Sequence, residues 1–246
     1  MMGVDALRVR AVVRKELRDY RRKRSIVVAM VILPAVFLIQ PTLAVFLASP
    51  SAAGGKYFAL PLLLLLLIPV IMPSTLAAYA VVGEREQGTL EPLLTTPIRR
   101  QEFILGKAAA VMLPTLALSY AAFGLFLAVV RLFANPAIAA RVFHQGPVLL
   151  VIVLFTPLLA GWAIVVGMAV SVRASEVRVA QQLGTVASFP PLAVVVLLGT
   201  GVIHPTFRVA VMFAIGLLVI DMLVLRFVSR MFDRERLVTG ARAVRS

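Results

Sequence analysis

Five stretches of this chain, Ser25 to Gly55, Tyr57 to Gly83, Ala108 to Val130, Val142 to Val172 and Val179 to Phe207, contain no Asp, Glu, Lys or Arg. A sixth, Val209 to Leu225, is interrupted only by Asp221 and is followed by Arg226. About 20 apolar residues in a helix cover the roughly 30 Å hydrocarbon core of a bilayer, so each stretch is long enough to span it or nearly so. The stretches exceed the 9 to 11 or so residues of a barrel strand and do not alternate with period two, which selects helices. With 61% apolar and 15% charged residues, the chain has too little polar surface to cover itself in water. The expected fold class is therefore an all-α membrane protein with six transmembrane helices.

The basic residues orient these spans. If six crossings return the chain to its starting side, that side receives Met1 to Arg24, Gly83 to Lys107, Arg173 to Arg178 and the tail from Arg226, which together hold 21 of the 25 Lys and Arg residues. Only Lys56, Arg131, Arg141 and Arg208 fall opposite. The positive-inside rule then predicts a multi-pass protein of the cell (plasma or inner) membrane with both termini in the cytoplasm. The same distribution accounts for the net charge of +14 and leaves no aromatic-interleaved basic patch, so nucleic acid is not an expected partner. The absence of cysteine removes disulfides, thiolate metal sites and cysteine nucleophiles. The hydrophilic lead before Ser25 and the length of the first apolar run both depart from a secretory signal, and that run reads as a retained span.

Residues 1–24 read as an amphipathic helix at the membrane surface. Ala6, Val9, Val13, Leu17 and Tyr20 recur at three- and four-residue spacing, while Arg10, Arg14, Arg18 and Arg22 line a neighbouring stripe. Such a helix can sink its apolar stripe into the headgroup boundary and pair its arginines with anionic lipid, so membrane lipid is an expected partner. Residues 25–246 form the six-span domain, with a polar loop at 83–107 and a cytoplasmic tail at 229–246.

The loop between spans two and three has its own organisation. Gly88 and Thr89 read as a helix stop and a fresh cap, with Glu91 in the new first turn where its charge suits the helix dipole. Pro92 is tolerated there because its missing amide would have no partner in any case. Leu90, Leu93 and Leu94 share a face, and Thr96 and Pro97 end the short helix. From Glu84 to Glu102 the segment carries four acids against three bases, unlike the other, mostly basic cytoplasmic parts. A leucine face beside Glu84, Glu86 and Glu91 suits docking into a groove on a soluble protein; the alternative is an ordinary loop whose leucines rest on the membrane.

Gly83-Glu-Arg-Glu-Gln-Gly-Thr-Leu-Glu-Pro-Leu-Leu-Thr-Thr-Pro-Ile, followed by Arg99-Arg100 and Gly106-Lys107, resembles the signature loop of the type-2 ABC transporter permeases. The run Arg14-Lys15-Glu16-Leu17-Arg18-Asp19-Tyr20, with Pro34 in the first span, is similar to that family's amino-terminal connecting helix and first span. The resemblance implies the membrane subunit of an ATP-driven exporter: two six-span permeases form the path, and soluble ATP-binding subunits drive them from below. It implies that Glu84, Glu86, Gly88, Thr89, Leu90, Glu91, Leu93, Leu94 and Pro97 form the element coupling to the ATPase. Arg14, Glu16, Leu17 and Tyr20 would belong to the connecting helix. ATP and magnesium would sit on the partner, with no cofactor on this chain.

The chain's own motifs agree with a borrowed motor. A phosphate-binding loop needs Gly, four residues, then Gly-Lys-Ser/Thr. Gly55-Lys56 has Pro50 in place of the first glycine, and Gly106-Lys107 has Gln101 before it and Ala108 after. The competing reading is a polytopic protein that works without nucleotide, as a secondary carrier or a scaffold. An intramembrane enzyme is a weaker third class, since His144 and His204 fall in different outer loops without acidic neighbours.

Three features inside the spans carry expectations. Asp221, about 10 Å from the cytoplasmic end of the last span, is either a pathway residue or a structural one bonded to Tyr, Thr or Gln side chains or to Arg226. Pro190 and Pro191 should break or kink the fifth helix; whether a shorter re-entrant piece then follows before His204 and Pro205 stays open on the residues, and the family resemblance implies that it does. Ala163, Gly167 and Ser171 offer a small-residue face for close packing, within the chain or against a second copy. Trp162, Tyr57, Tyr79 and Tyr120 read as interface or packing aromatics.

Overall fold

The computed structural model describes residues 5–49, 57–78, 82, 99–174, 176–200, 202 and 207–231. These are helical almost throughout, and six helices are long and apolar enough to cross a membrane: Ile26–Phe46, Ala59–Ala77, Gln101–Phe133, Gly146–Arg173, Val177–Gly199 and Arg208–Phe227. The six apolar runs and the all-helical class expected from the sequence are thus both present.

Helix α1 (Ala6–Arg22) starts where the Asp5 side chain accepts a hydrogen bond from the Leu7 amide, and ends at Lys23, whose N–H donates back to the Asp19 and Tyr20 carbonyls. Helix α2 (Arg24–Phe46) is the first span. The second is built in pieces, α3 (Ala59–Leu63), one tight 3-10 turn and α4 (Leu67–Ala78). Helix α5 (Arg100–Phe133) is the third span, followed by a short α6 (Pro136–Phe143). Helices α7 (Gly146–Arg173), α8 (Val177–Gly199) and α9 (Phe207–Met231) complete the bundle.

Helix α7 is the centre, in contact with α4, α5, α8 and α9. Its small-residue face is used within the chain: Ala163, Gly167 and Ser171 are buried, and a Cβ at Gly167 would lie 2.8 Å from that of Ala77 on α4. Gly184 on α8 closes against the same glycine, where its own Cβ would come within 3.4 Å of the Gly167 Cα. Without a hydrophobic drive between helices in lipid, close backbone approach of this kind supplies the dispersion contacts that hold spans together. The outermost spans turn apolar faces outward, with Val31, Ile32 and Val36 of α2 and Met212, Ile215 and Leu223 of α9 exposed. In a bilayer those faces meet acyl chains.

Two expectations are corrected by the helix boundaries. Counting uncharged residues starts the third span at Ala108, but α5 begins at Arg100, so residues 100–107 are helix and not loop. Its 34 residues rise about 51 Å against a core of roughly 30 Å, and so the first turns extend past the hydrocarbon. The second correction concerns α8, where the expected break is absent: one helix runs through Pro190 and Pro191 to Gly199. Pro191 has no N–H for the Ala187 carbonyl four residues back, and the Trp162 indole N–H donates to that carbonyl instead, at 3.1 Å. Pro157 in α7 is accommodated the same way, the Tyr120 hydroxyl donating to the Val153 carbonyl at 3.0 Å. Helix α6 went unforeseen, although Asn135, accepting from the Ala137 amide ahead of Pro136 at the first turn, is a readable start signal.

Candidate functional site

The amino-terminal helix and the first turns of the third span are built into one unit. A Cβ at Gly106 would sit 2.6 Å from the Cβ of Val12, so this glycine is what lets α5 and α1 approach at that point. On the buried side of α1 lie Val12, Glu16 and Tyr20. Glu16 meets Lys107 of α5, whose Nζ donates to Oε1 at 3.0 Å, with the two residues 6% and 1% exposed. Lys15 reaches the same oxygen at 3.3 Å, and the Lys107 ammonium lies 5.0 Å from the Phe103 ring centroid. Burial by itself raises the Glu16 carboxyl, but Lys107 and Lys15 outweigh it and hold it below its ordinary value.

One turn earlier, Glu102 fastens two chain ends. It is 1% exposed; its Oε1 accepts from the Asp5 amide at 3.0 Å and its Oε2 from the Arg99 amide at 2.9 Å. The second bond caps α5, and the guanidinium of Arg99, having no acceptor, cannot return it. Arg8 Nη1 adds an ion pair to Glu102 at 3.6 Å. The carboxylate therefore joins the start of α1 to the residue where the loop after span two re-enters helix. On the other flank of that loop, the Val82 amide donates to Ser171 Oγ of α7 at 3.3 Å. Both flanks are thus tied to neighbouring helices, one to the central span α7 and one to the start of α1.

The expected coupling residues Glu84, Glu86, Gly88, Thr89, Leu90, Glu91, Leu93, Leu94 and Pro97 lie outside the described residues. Among the connecting-helix residues, Arg14 is exposed, Leu17 half-buried, and Glu16 and Tyr20 buried. The expected apolar stripe omitted Val12 and contained no charge, whereas the buried side includes a carboxylate. Sequence reading also missed Glu102 and the role of Lys107. Signals existed: an acid three residues after Arg99 fits an N-terminal cap, and Glu16 falls among the apolar residues of its helix.

Asp221 occupies a second location. It is buried on α9 with Oδ2 beside Gly161 of α7, where a Cβ would come within 3.0 Å of it, and its Oδ1 has no hydrogen-bond partner. Among the described residues none of the expected bonds to Tyr, Thr, Gln or Arg226 reaches Oδ1, which is enclosed by protein at the wall of an apolar cavity of about 410 Å³ between α5, α7 and α9. Other polar side chains of the spans are paired, as where the Ser74 and Thr185 hydroxyls meet at 2.6 Å, while the buried Ser119 hydroxyl of α5 has no hydrogen-bond partner. His144 caps the end of α6, while His204 lies outside the described residues.

The family described as ABC-2 family transporter protein matches residues 10–232, nearly the whole chain and every span. The chain belongs to that family. The permease is accordingly a multi-pass membrane subunit of an ABC transporter, the kind that works with an ATP-binding subunit. Among curated proteins, none matches the permease.

Proposed function

We propose that the permease exports its cargo, two copies forming the path, driven by an ATPase that docks on the segment from Glu84 to Pro97. Both termini lie in the cytoplasm of a plasma or inner membrane, ATP and magnesium are held by the partner, and α1 rests at the headgroup level with Arg14 toward lipid. The observation that carries this reading is the Glu102 fastening. A push on the segment between Val82 and Arg99 reaches α5 and α1 together, because one buried carboxylate holds Arg99 and Asp5, and Glu16–Lys107 prevents the two helices from sliding. A docking loop with that exit acts as a lever on the bundle, which a merely lipid-resting loop has no use for.

The test is copurification of an ATPase from native membranes with the permease. Substituting Glu84, Glu86 and Glu91 together by Ala is expected to abolish it while the six-span fold persists. Undiminished copurification would refute the docking site, and transport that continues in ATP-depleted cells would refute the ATP-driven reading.

A further inference from the structure

We propose that the outer side of α1 binds the phosphate groups of anionic lipid in the adjoining leaflet through Arg10, Arg14, Arg18 and Arg22, and that this contact steadies the junction between α1 and α5. The steadying deepens the coupling role proposed above and rests on it for what the junction is for; the binding itself requires only α1 and the membrane.

The apolar stripe that the sequence offers to the bilayer is spent inside the protein. Val12 and Tyr20 are buried, and Val13 and Leu17 pack against the same cluster, which includes Phe103 and Ile104 of α5. Leu7 is the one large apolar side chain of α1 left exposed. Helix α1 therefore has little with which to enter the hydrocarbon, and what it presents outward is charge. Arg14 and Arg18 stand two residues either side of the buried Glu16, about 160–200° round the helix from it, and so face away from α5. Arg10 and Arg22 continue the row, with a rise of about 6 Å from one arginine to the next. All four are exposed, and they line an open groove of about 630 Å³. Among the described residues no acid pairs with them: Asp5 is taken by Arg8, Asp19 by Lys15 and Glu16 by Lys107.

The direction of that face selects the occupant. From Asp5 to Glu16, eleven residues of α1 are matched by only five of α5, Glu102 to Lys107, rises of about 16 Å and about 8 Å, so α1 crosses the third span obliquely instead of running alongside it. Arg22 stands four residues before Ile26, where the first span begins. A helix lying across the base of one span and held at the start of another turns its far side along the membrane surface, where lipid phosphates lie. Guanidinium forks take phosphate oxygens two at a time, and a basic segment beside an anionic leaflet gains with each charge. A zwitterionic head brings its own cation to the same place and is held less. An acidic protein arriving from the cytoplasm meets the underside of α1, not this face.

Spin-labelled phosphatidylglycerol and phosphatidylcholine with identical tails are the probes, in phosphatidylcholine vesicles containing full-length permease. The motionally restricted fraction is expected to be about threefold higher for phosphatidylglycerol, falling to parity when Arg10, Arg14, Arg18 and Arg22 are together replaced by Gln, and for the wild type as sodium chloride approaches about 1 M. Undiminished selectivity in the four-Gln variant overturns the site, and so does selectivity indifferent to salt, a measurement that needs only the wild type and decides even where the variant does not fold. Replacing half the vesicle lipid by phosphatidylglycerol is expected to raise the thermal transition of the wild type by several degrees and to leave the variant unmoved; equal shifts overturn the steadying. If the variant keeps its lipid selectivity but no longer copurifies an ATPase, the face belongs to a protein and the lipid site falls. Neither lipid readout uses ATPase or cargo, so loss of the docking site leaves them standing, and loss of selectivity with copurification intact leaves docking standing.

Discussion

Lys107 is the residue on which the amino-terminal junction turns. Removing one member of a buried ion pair leaves the other charged and unanswered, at about 3–5 kcal/mol, whereas replacing both by apolar groups is often neutral. Lys107→Met is therefore expected to lower the thermal transition of the purified permease sharply, and adding Glu16→Leu to restore most of it; a strictly additive double variant would show that the two do not act as a pair. The pH dependence has a definite sign. Because the folded Glu16 carboxyl is held below its ordinary value, its contribution is complete above the usual carboxylate range and is lost as pH falls through the lowered value. The stability gap between wild type and Glu16→Gln should narrow on acidification, read from thermal transitions at a series of pH values. Glu16 was legible as a member of the helix but not as buried, since its partner stands 91 positions away.

Among the elements, α8 shows how a helix survives two adjacent prolines. The Ala187 carbonyl freed by Pro191 is answered by Trp162 of α7, so the cost of the proline is carried by a neighbouring span. Trp162→Phe is expected to destabilise by about 0.5–2 kcal/mol, the scale of interhelical hydrogen bonds in membranes. In a Pro191→Ala background the restored amide can take that carbonyl, and most of the effect of Trp162→Phe should disappear; a persistent full effect would mean that Trp162 acts by packing alone. The proline doublet was plain in the sequence, and a break there was one of the two outcomes it led one to expect. Continuity depended on an indole from another helix, which local rules do not see. The early start of α5 has the same origin, because Lys107 ends an uncharged run yet is buried against α1.

For the whole molecule, the distribution of basic residues makes a topological prediction. The chain has no cysteine, so single-cysteine variants report accessibility without background. Arg131→Cys is expected to react with a membrane-impermeant maleimide from outside intact cells, and Arg10→Cys and Glu176→Cys only after permeabilisation. The opposite pattern would place the loop before α5 away from any cytoplasmic motor.

At that largest scale, the number of spans, the helical class and the signature that resembles type-2 permeases could be read directly from residue order, because a bilayer admits few solutions to an uncharged run of about 20 residues. The family match over residues 10–232 agrees with that reading. Tertiary structure alone decided which charges are buried and what answers them: Glu16 by Lys107, the α1 and α5 ends by Glu102, and Asp221 packed against Gly161 with no hydrogen bond at Oδ1. The reason is physical. Whether a polar group can leave water depends on the atoms within a few ångströms of it, and those atoms come from helices far apart along the chain.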